Sequence, residues 1–359
     1  MDCFITRTAS HLPGLPIDNT SITDYLGTFE GDAEVREKVL RMNGITQRYY
    51  AQSKDQVPTD DVYGMGSKAV RSCLAGYETK RITYLGAGTT YAPYSAPGPA
   101  VFIHDRLSDI LGHSLEVSSQ SGVCSASAAG LVAAIRGIQA GDHEAAVCVG
   151  TEQPSEILKA SAIQPVDDRN AHKNIRDSQW FMSVFLRYML SDGAGAFLLQ
   201  NTPELDRPAF RVNWTHSMSF AHRAPACMKL DNSTALLSQD LPVLMRHMMP
   251  CSEEFIEDAL TTNQDDLDSY SVILPHMSSF FFRRGMERVI ARKCDDSSKP
   301  VPYWTNLSTA GNTGCASIFI MLDEYLKTHQ VERGNRILLF VPESGQFNFV
   351  MVSLTAVLS

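Results

Sequence analysis

The 359-residue sequence lacks long runs of one residue type, and this absence excludes several classes of protein. No cluster of Lys and Arg stands out and the net charge is -9, which argues against nucleic acid as a partner. The longest apolar stretches fall far short of the roughly 20 residues that a membrane span requires. Residues 1–5 show no basic segment followed by a long apolar one, so no signal peptide is predicted.

Disulfide, metal and cofactor signals are also missing. Eight cysteines in a chain of this length do not form a disulfide framework, and no CxxC pair or His/Cys cluster indicates zinc. Cys148 and Cys315 lie in runs of apolar or small residues, as reduced core thiols do, so we expect a reducing, cytoplasmic compartment. No phosphate-binding loop or nicotinamide fingerprint is present, and no bound cofactor is expected.

What the sequence does contain is an alternation of predicted strands and helices, which is typical of α/β proteins whose helices cover sheets. A polar, proline-containing segment at 200–207 divides the chain into an N-terminal half, 1–200, and a C-terminal half, 201–359. Each half has a short strand, a loop with a candidate catalytic residue and then a helix, which hints at internal duplication. Strands are predicted at 145–150, 194–200, 271–274, 336–341 and 347–358, and helices at 125–140, 279–292 and 313–329.

Cys124 lies in the segment 120–130 (QSGVCSASAAG), directly before an alanine-rich predicted helix. A thiol at a helix N-terminus faces the positive end of the helix dipole and free backbone N–H groups, and both favour the reactive thiolate. Small neighbours leave room for an acyl chain. A buried structural cysteine is the alternative interpretation of this segment.

Two further loops carry polar side chains between a predicted strand and a predicted helix. His276 follows the strand in LPHMSS, where a neutral imidazole can exchange a hydrogen bond with a reacting oxygen. Asn312 lies in the glycine-flanked turn AGNTG, where its amide can steady a carbonyl or enolate. Taken singly, a core or capping histidine and an N-cap asparagine explain these two residues equally well.

Taken together, Cys, His and Asn in this chain order resemble the β-ketoacyl synthase III branch of the thiolase superfamily. The segments 43–48 (NGITQR), 191–196 (SDGAGA), 274–276 (LPH) and 311–313 (GNT) carry the resemblance, which covers nearly the whole chain. It implies an α/β thiolase fold with two similar α/β halves in a five-layer αβαβα arrangement. It also implies a homodimer that pairs through a strand near the nucleophile, for which 115–119 is the candidate.

A closer resemblance is to the ketosynthases that form dialkylresorcinols and bacterial stilbenes. It rests on 40–45 (LRMNGI), 48–51 (RYYA), 226–228 (ACM) and 342–345 (PESG). It implies condensation of an acyl thioester with a carrier-bound β-ketoacyl thioester, followed by ring closure to a cyclohexanedione. The sequence departs from the wider family at 277–279, where Gln-Ala-Asn is usual, and at 344–346, where further glycines are usual.

The resemblance also implies a role for each candidate residue. Cys124 is the nucleophile, and the backbone N–H groups of Cys124 and Gly345 form the oxyanion hole. His276 and Asn312 hydrogen-bond the enolate of the second substrate. Ring closure needs a further base, and Glu152 follows the predicted strand 145–150; a solvated loop glutamate is the alternative.

Acyl carrier protein, CoA thioesters or both are the expected partners. The protein is acidic overall, so local basic residues must steer an acidic carrier, and Arg223, Arg283 and Arg284 are the candidates. Three other functions stay open. These are a priming β-ketoacyl synthase III that uses acyl-CoA and malonyl-carrier, an acyltransferase to oxygen or nitrogen, and a non-catalytic partner subunit, against which the intact Cys, His and Asn argue.

Overall fold

The computed structural model describes residues 1–28, 32–167, 185–204, 207–231 and 236–358. Nine strands form one mixed sheet and four short strands form two hairpin-like pairs. The strands are β1 Phe4–His11, β2 Ile17–Asp18, β3 Gln47–Arg48, β4 Ile82–Thr89, β5 Glu116–Ser121, β6 Ala145–Glu152, β7 Gly193–Gln200, β8 Ala209–Ser219, β9 Met228–Asp231, β10 Leu236–Gln239, β11 Val272–Pro275, β12 Arg336–Pro342 and β13 Asn348–Leu358.

The helices alternate with these strands, as the sequence predicts. Those in the described ranges are α1 Ile22–Leu26, α2 Asp32–Asn43, α3 Val62–Cys73, α4 Pro99–Arg106, α5 Ala126–Ala140, α6 Pro154–Leu158, α7 Ala160–Asp167, α8 Leu241–Asn263, α9 Arg283–Lys293, α10 Leu307–Ala310 and α11 Ser317–Thr328. No helix in these ranges is both long enough and apolar enough to cross a membrane.

The order of the large sheet, β11-β12-β13-β8-β1-β7-β6-β4-β5, repeats one pattern outward from its middle. On one side, β1 pairs antiparallel with β7, and β7 pairs antiparallel with β6. Further out, β6 pairs in parallel with β4, and β4 pairs in parallel with β5. On the other side β8, β13 and β12 pair antiparallel, and β12 pairs in parallel with β11. The two series meet where β1 pairs with β8. The chain therefore has two halves of similar topology; the proposed division after residue 200 stays a prediction.

Alternate residues of the strands enter different core clusters, and this separates the helices into layers. One cluster places α3 and α4 on the outer face of β4, β6 and β7. A second places α8 and α9 on the outer face of β11, β12 and β13. The third encloses α5 and α11 between the two halves of the sheet. These layers make the αβαβα arrangement, so the predicted fold class is confirmed.

Small residues let the central helix α5 lie close to the sheet. A Cβ atom on Gly88 of β4 would lie 2.4 Å from the backbone nitrogen of Ser127, so a larger residue cannot be accommodated there. The helix ends at Gly141, which has φ 90° in the left-handed region that favours glycine. Because α5 is anchored in this way, its N-terminus lies at a fixed point in the centre of the molecule.

Candidate functional site

Cys124 lies two residues before the first residue of α5, in the loop that follows β5. Its side chain is buried at 6% exposure, and it lines two separate cavities. The structure therefore places this thiol where the sequence predicts it, at the start of a helix. Its position between two cavities is what a residue that joins two substrates requires.

The electrostatic surroundings of Cys124 differ from the prediction that the helix N-terminus favours its thiolate. Burial raises the pKa of the Cys124 thiol well above its ordinary value, and the carboxyl groups of Glu343 and Glu152 raise it further. The backbone N–H groups of Ser344 and of Cys124 itself lower this pKa, but by less. The expectation that the helix terminus favours the thiolate counted the dipole and the N–H groups, and left out the burial of the thiol and the two buried carboxyl groups, which outweigh them.

His276 follows β11 and lines the first cavity together with Cys124. Its backbone N–H donates to the carbonyl of Phe340 at 2.8 Å, and this hydrogen bond holds the loop against β12. Burial lowers the pKa of the imidazole to about 4, so the ring is neutral near pH 7. Neither ring nitrogen has a hydrogen-bond partner among the described residues, and both are buried. A neutral ring with two unused polar atoms can serve a substrate.

Asn312 lines the second cavity, also together with Cys124. Its backbone N–H donates to the carbonyl of Met189 at 3.1 Å, and its own carbonyl accepts from the N–H of Ser191. The side-chain oxygen accepts from the N–H of Gly314 at 3.0 Å. This contact fixes the orientation of the amide, so Nδ2 is the end that can donate to a bound carbonyl or enolate.

Glu152 is the last residue of β6 and is 4% exposed, so it is not a solvated loop residue. Its Oε1 accepts hydrogen bonds from the N–H and hydroxyl of Thr90 and from the N–H of Cys315 at 2.6 to 3.1 Å. Burial raises the pKa of the carboxyl more than these donors lower it. Glu152 lines the second cavity with Asn312 and Cys124. A buried carboxyl with a raised pKa beside a cavity is a candidate proton-transfer group.

The loop after β12 lies beside the nucleophile. The carbonyl of Gly345 accepts hydrogen bonds from the N–H groups of Cys227 and Met228 at 2.7 and 3.0 Å, which secures the loop. The backbone N–H of the neighbouring residue, Ser344, lowers the pKa of the Cys124 thiol. Ser344 is therefore a second candidate donor beside Gly345, whose role as an oxyanion donor stays a prediction.

The three candidate docking arginines have different surroundings. Arg223 forms two hydrogen bonds with Glu254 of α8, at 2.5 and 2.7 Å, so its charge is matched locally. Arg283 and Arg284 begin α9 and are exposed. Arg283 is 4.0 Å from Glu287, and no ion pair of Arg284 is found among the described residues. The start of α9 is therefore the more positive of the two surfaces.

Two apolar cavities meet at Cys124, and Ser278 and Ser344 also line both of them. The first, which we call the α8–α9 cavity, has a volume of about 60 Å³. It extends between these two helices, over β12, and is lined by Met248, Ile256, Met286, Ile290 and Phe340.

The second, which we call the Glu152 cavity, has a volume of about 30 Å³. Beyond Glu152 and Asn312 it is lined by Ile157, Leu186, Met189 and Leu237. Both cavities are narrow, and their linings are mostly apolar with a few polar groups close to the thiol. Together they place an apolar lining on each side of the Cys124 sulfur.

Sequence reasoning missed two residues of this site, Glu343 and Ser125. Glu343 is buried beside Cys124 and hydrogen-bonds Ser125, which is 218 positions away in sequence. The sequence signal for Glu343 was an acidic residue in the segment 342–345, beside the stretch where the wider family usually has glycines. A carboxylate at the edge of a candidate oxyanion loop could have been recognised as part of the site from this signal.

Comparison with known proteins supports the fold. No protein-family model matches the chain. It is 23% identical to β-ketoacyl-[acyl-carrier-protein] synthase III of Xanthomonas oryzae pv. oryzae over 93% of both chains. It is also 23% identical to the Staphylococcus aureus protein of the same name over 94% of both chains.

Solved structures extend this likeness over almost the whole chain. The tetronic acid condensing enzyme AbyA1 has a TM-score of 0.76 at 18% identity, with 98% of this chain and 99% of that chain covered. The 3-oxoacyl-[acyl-carrier-protein] synthase III of Aquifex aeolicus has a TM-score of 0.73 at 18% identity, with the same coverage. A variant of Xanthomonas campestris OleA has a TM-score of 0.76 at 17% identity, with 99% and 98% covered. The chain therefore has the thiolase fold of the β-ketoacyl synthase III enzymes.

Proposed function

We propose that this protein is a ketosynthase that condenses an acyl thioester with a carrier-bound β-ketoacyl thioester through an acyl-Cys124 intermediate. The observation that carries the proposal is the meeting of two apolar cavities at one buried thiol. His276 borders one cavity and Asn312 the other, so hydrogen-bond donors flank the point where two chains would meet. The names of the similar proteins, which are condensing enzymes, support the same chemistry.

In the first step the Cys124 sulfur attacks the acyl thioester. A carbon–sulfur bond to Cys124 forms, the bond to the carrier sulfur breaks, and the thiol proton leaves with the carrier as its free thiol. The oxyanion that develops needs two donors, and the backbone N–H groups of Cys124 and Ser344 are the two beside the sulfur. This refines the assignment of Gly345, whose carbonyl secures the loop.

In the second step the β-ketoacyl thioester loses a proton from the carbon between its two carbonyls. His276, neutral because burial lowers its pKa to about 4, and the Asn312 amide hydrogen-bond the enolate oxygen. The carbanion attacks the acyl carbonyl, a carbon–carbon bond forms as the carbon–sulfur bond to Cys124 breaks, and the released sulfur takes up, in balance, the proton that the methylene lost. The methylene of a β-ketoacyl donor is already acidic, so decarboxylation is not needed.

Two alternatives make a different use of the same residues. A priming β-ketoacyl synthase III needs a malonyl-carrier, and an acyltransferase needs an alcohol or amine acceptor. Two apolar cavities favour two chain-bearing substrates over a short malonyl unit. Assays with matched malonyl- and β-ketoacyl-carriers separate these cases. Product from the β-ketoacyl-carrier without loss of CO₂ supports the proposal, and product from the malonyl-carrier alone contradicts it.

We also propose that two copies of the chain pair through β5, which ends the large sheet and contacts β4 alone among the strands of the described residues. Its residues Glu116 and Val117 are exposed. Antiparallel pairing of two copies across a two-fold axis would satisfy the free edge of each strand.

For carrier docking, we propose the start of α9. Reversing Arg284 to glutamate should raise the KM for carrier-bound substrate several-fold and leave the KM for a short soluble thioester nearly unchanged. Steady-state kinetics with both substrates measure this. Arg223→Glu is the matched comparison and should have a smaller effect, because Glu254 already neutralises Arg223. A larger effect at Arg223, or equal losses with both substrates, would place docking elsewhere.

We further propose that Glu152 is the base for ring closure. After condensation, an unsaturated acyl unit can cyclise by adding a carbanion to its double bond, and Glu152 lies in the cavity that would hold this part of the chain. Glu152→Gln keeps the oxygen that accepts from Thr90 and Cys315 and removes the base. The variant should form acyl-Cys124 normally and release linear or lactonised products in place of the cyclohexanedione.

The product ratio from an α,β-unsaturated starter, measured by chromatography, tests this role. Glu156→Gln is the matched control, because Glu156 lies in the next turn of chain and pairs with Lys159 instead. That control should leave the ring product at wild-type yield. An unchanged ring yield in Glu152→Gln would show that closure is spontaneous or depends on another group.

A further inference from the structure

The buried carboxylate of Glu343 lies at the N-terminus of α5, where the candidate nucleophile also lies. Its Oε2 accepts from the backbone N–H of Ser125 at 3.3 Å and from the Ser125 hydroxyl. Ser125 is the N-cap residue of α5, and Asn348 donates to its hydroxyl at 2.9 Å. Glu343 is 7% exposed, so solvent screens its charge poorly. Burial raises the pKa of this carboxyl, and the hydroxyl and N–H of Ser125 oppose that rise by favouring the charged form.

The Glu343 carboxylate occupies the position at the N-terminus of α5 where the helix can stabilise an anion. The first N–H groups of a helix and its dipole stabilise one nearby negative charge, and here Glu343 takes the N–H of the N-cap residue. A second negative charge on the adjacent Cys124 would then face Glu343 at short range in a buried site. Like charges disfavour each other's ionised form under these conditions.

We propose that Glu343 is a positioning residue that occupies the anion site of the α5 terminus and so keeps Cys124 in the thiol form until acyl transfer. This inference rests on the proposed role of Cys124 as the nucleophile. The other titratable groups facing Cys124 are Glu152, whose charge acts in the same direction, and the neutral His276. Within acyl transfer, the thiol proton ends on the departing carrier sulfur, so no external acid or base is required.

The consequence is a nucleophile that resists adventitious chemistry. Alkylating agents and oxidants react with thiolates, so a thiol held protonated between substrate cycles reacts slowly with them. When the acyl thioester binds with its carbonyl oxygen toward the N–H groups of Cys124 and Ser344, these groups stabilise the oxyanion that develops as the sulfur attacks.

The test is the pH dependence of Cys124 alkylation by iodoacetamide without substrate, measured at the Cys124 peptide by mass spectrometry. A free cysteine has its midpoint at about 8.5, and the wild-type midpoint should lie above this value. Glu343→Gln should shift the midpoint down by about one pH unit, which raises the alkylation rate at neutral pH about tenfold. Glu343→Asp, which retains the charge, should stay near wild type.

Glu254→Gln is the matched control, since it removes one negative charge from the surface of α8 and should leave the alkylation midpoint of Cys124 unchanged. A wild-type midpoint below 8, or equal midpoints in Glu343→Gln and wild type, would overturn the proposal. Burial alone raises the wild-type midpoint, so the comparison of Glu343→Gln with Glu343→Asp, both checked for folding by circular dichroism, decides the role of Glu343. Acyl-enzyme formation is measured separately, so loss of this inference and loss of the proposed function are distinguishable.

Discussion

Replacing Cys124 by alanine should abolish acyl-enzyme formation and with it all condensation. The reason is that Cys124 lines both apolar cavities, and among the described residues it is the thiol that the two linings have in common. No neighbouring hydroxyl has the same position and nucleophilicity. Intact-protein mass spectrometry after incubation with an acyl thioester measures the result: the acyl mass adduct of the wild type should be missing from the variant.

Cys227→Ala is the matched control for this experiment. Cys227 is another buried thiol, and its N–H donates to the carbonyl of Gly345 in the loop beside the site. The control should retain the acyl adduct, because its sulfur lies outside both sets of cavity-lining residues. Full acylation of Cys124→Ala would mean that another residue is the nucleophile.

His276→Ala and Asn312→Ala should accept the acyl group yet lose condensation by about 100-fold or more, the effect typical of removing a donor to a developing oxyanion. Both side chains are placed to stabilise the enolate of the second substrate. His276 is not among the groups that shift the pKa of Cys124, so its loss should leave acylation nearly intact. Separate single-turnover measurements of acylation and of product formation reveal this division.

His222→Ala is a control for the histidine, because His222 lies on the surface beside Arg223. It should condense at the wild-type rate. If His276→Ala or Asn312→Ala condensed as fast as wild type, the role of that residue would be structural. If either lost acylation to the same degree as condensation, the residue would act on the first substrate as well.

The sequence predicts the catalytic loops well because each is tied to a local pattern. Cys124 follows β5 and His276 follows β11, each before a helix or helical turn as expected, whereas Asn312 follows the short helix α10 and not the expected strand. Strand ends and helix starts lie at one edge of a layered fold, so residues with this placement converge in space. Glu152 follows the same logic, and the structure buries it at the end of β6.

What the sequence could not predict depends on contacts between distant segments. The effect of Glu343 on Cys124 needs the loop after β12 to lie against the N-terminus of α5, 218 positions away at Ser125. Local reasoning considered the helix dipole and expected it to favour the thiolate, whereas the tertiary structure buries the thiol and places Glu343 beside it, and both raise the pKa of Cys124. The pairing of Arg223 with Glu254 of α8 is a similar long-range contact.

The boundaries and some strands were also beyond local pattern. β8 mixes exposed polar and half-buried residues, so the pairing of this 11-residue strand with β13 is visible only in the sheet. The predicted helices at 279–292 and 313–329 begin as 3₁₀ turns at 280–282 and 314–316 before α9 and α11 follow. These turns set the directions in which the loops of His276 and Asn312 enter the site.

One measurement tests the central claim, that Cys124 carries an acyl group to a carbon–carbon bond. The enzyme is supplied with an acyl thioester labelled with ¹³C at its carbonyl and a β-ketoacyl-carrier labelled with ¹³C at the carbon between its carbonyls. The account predicts a product in which the two labels show a one-bond ¹³C–¹³C coupling by NMR. Label found only in free acid, or in an ester or amide of the acyl unit, would contradict it.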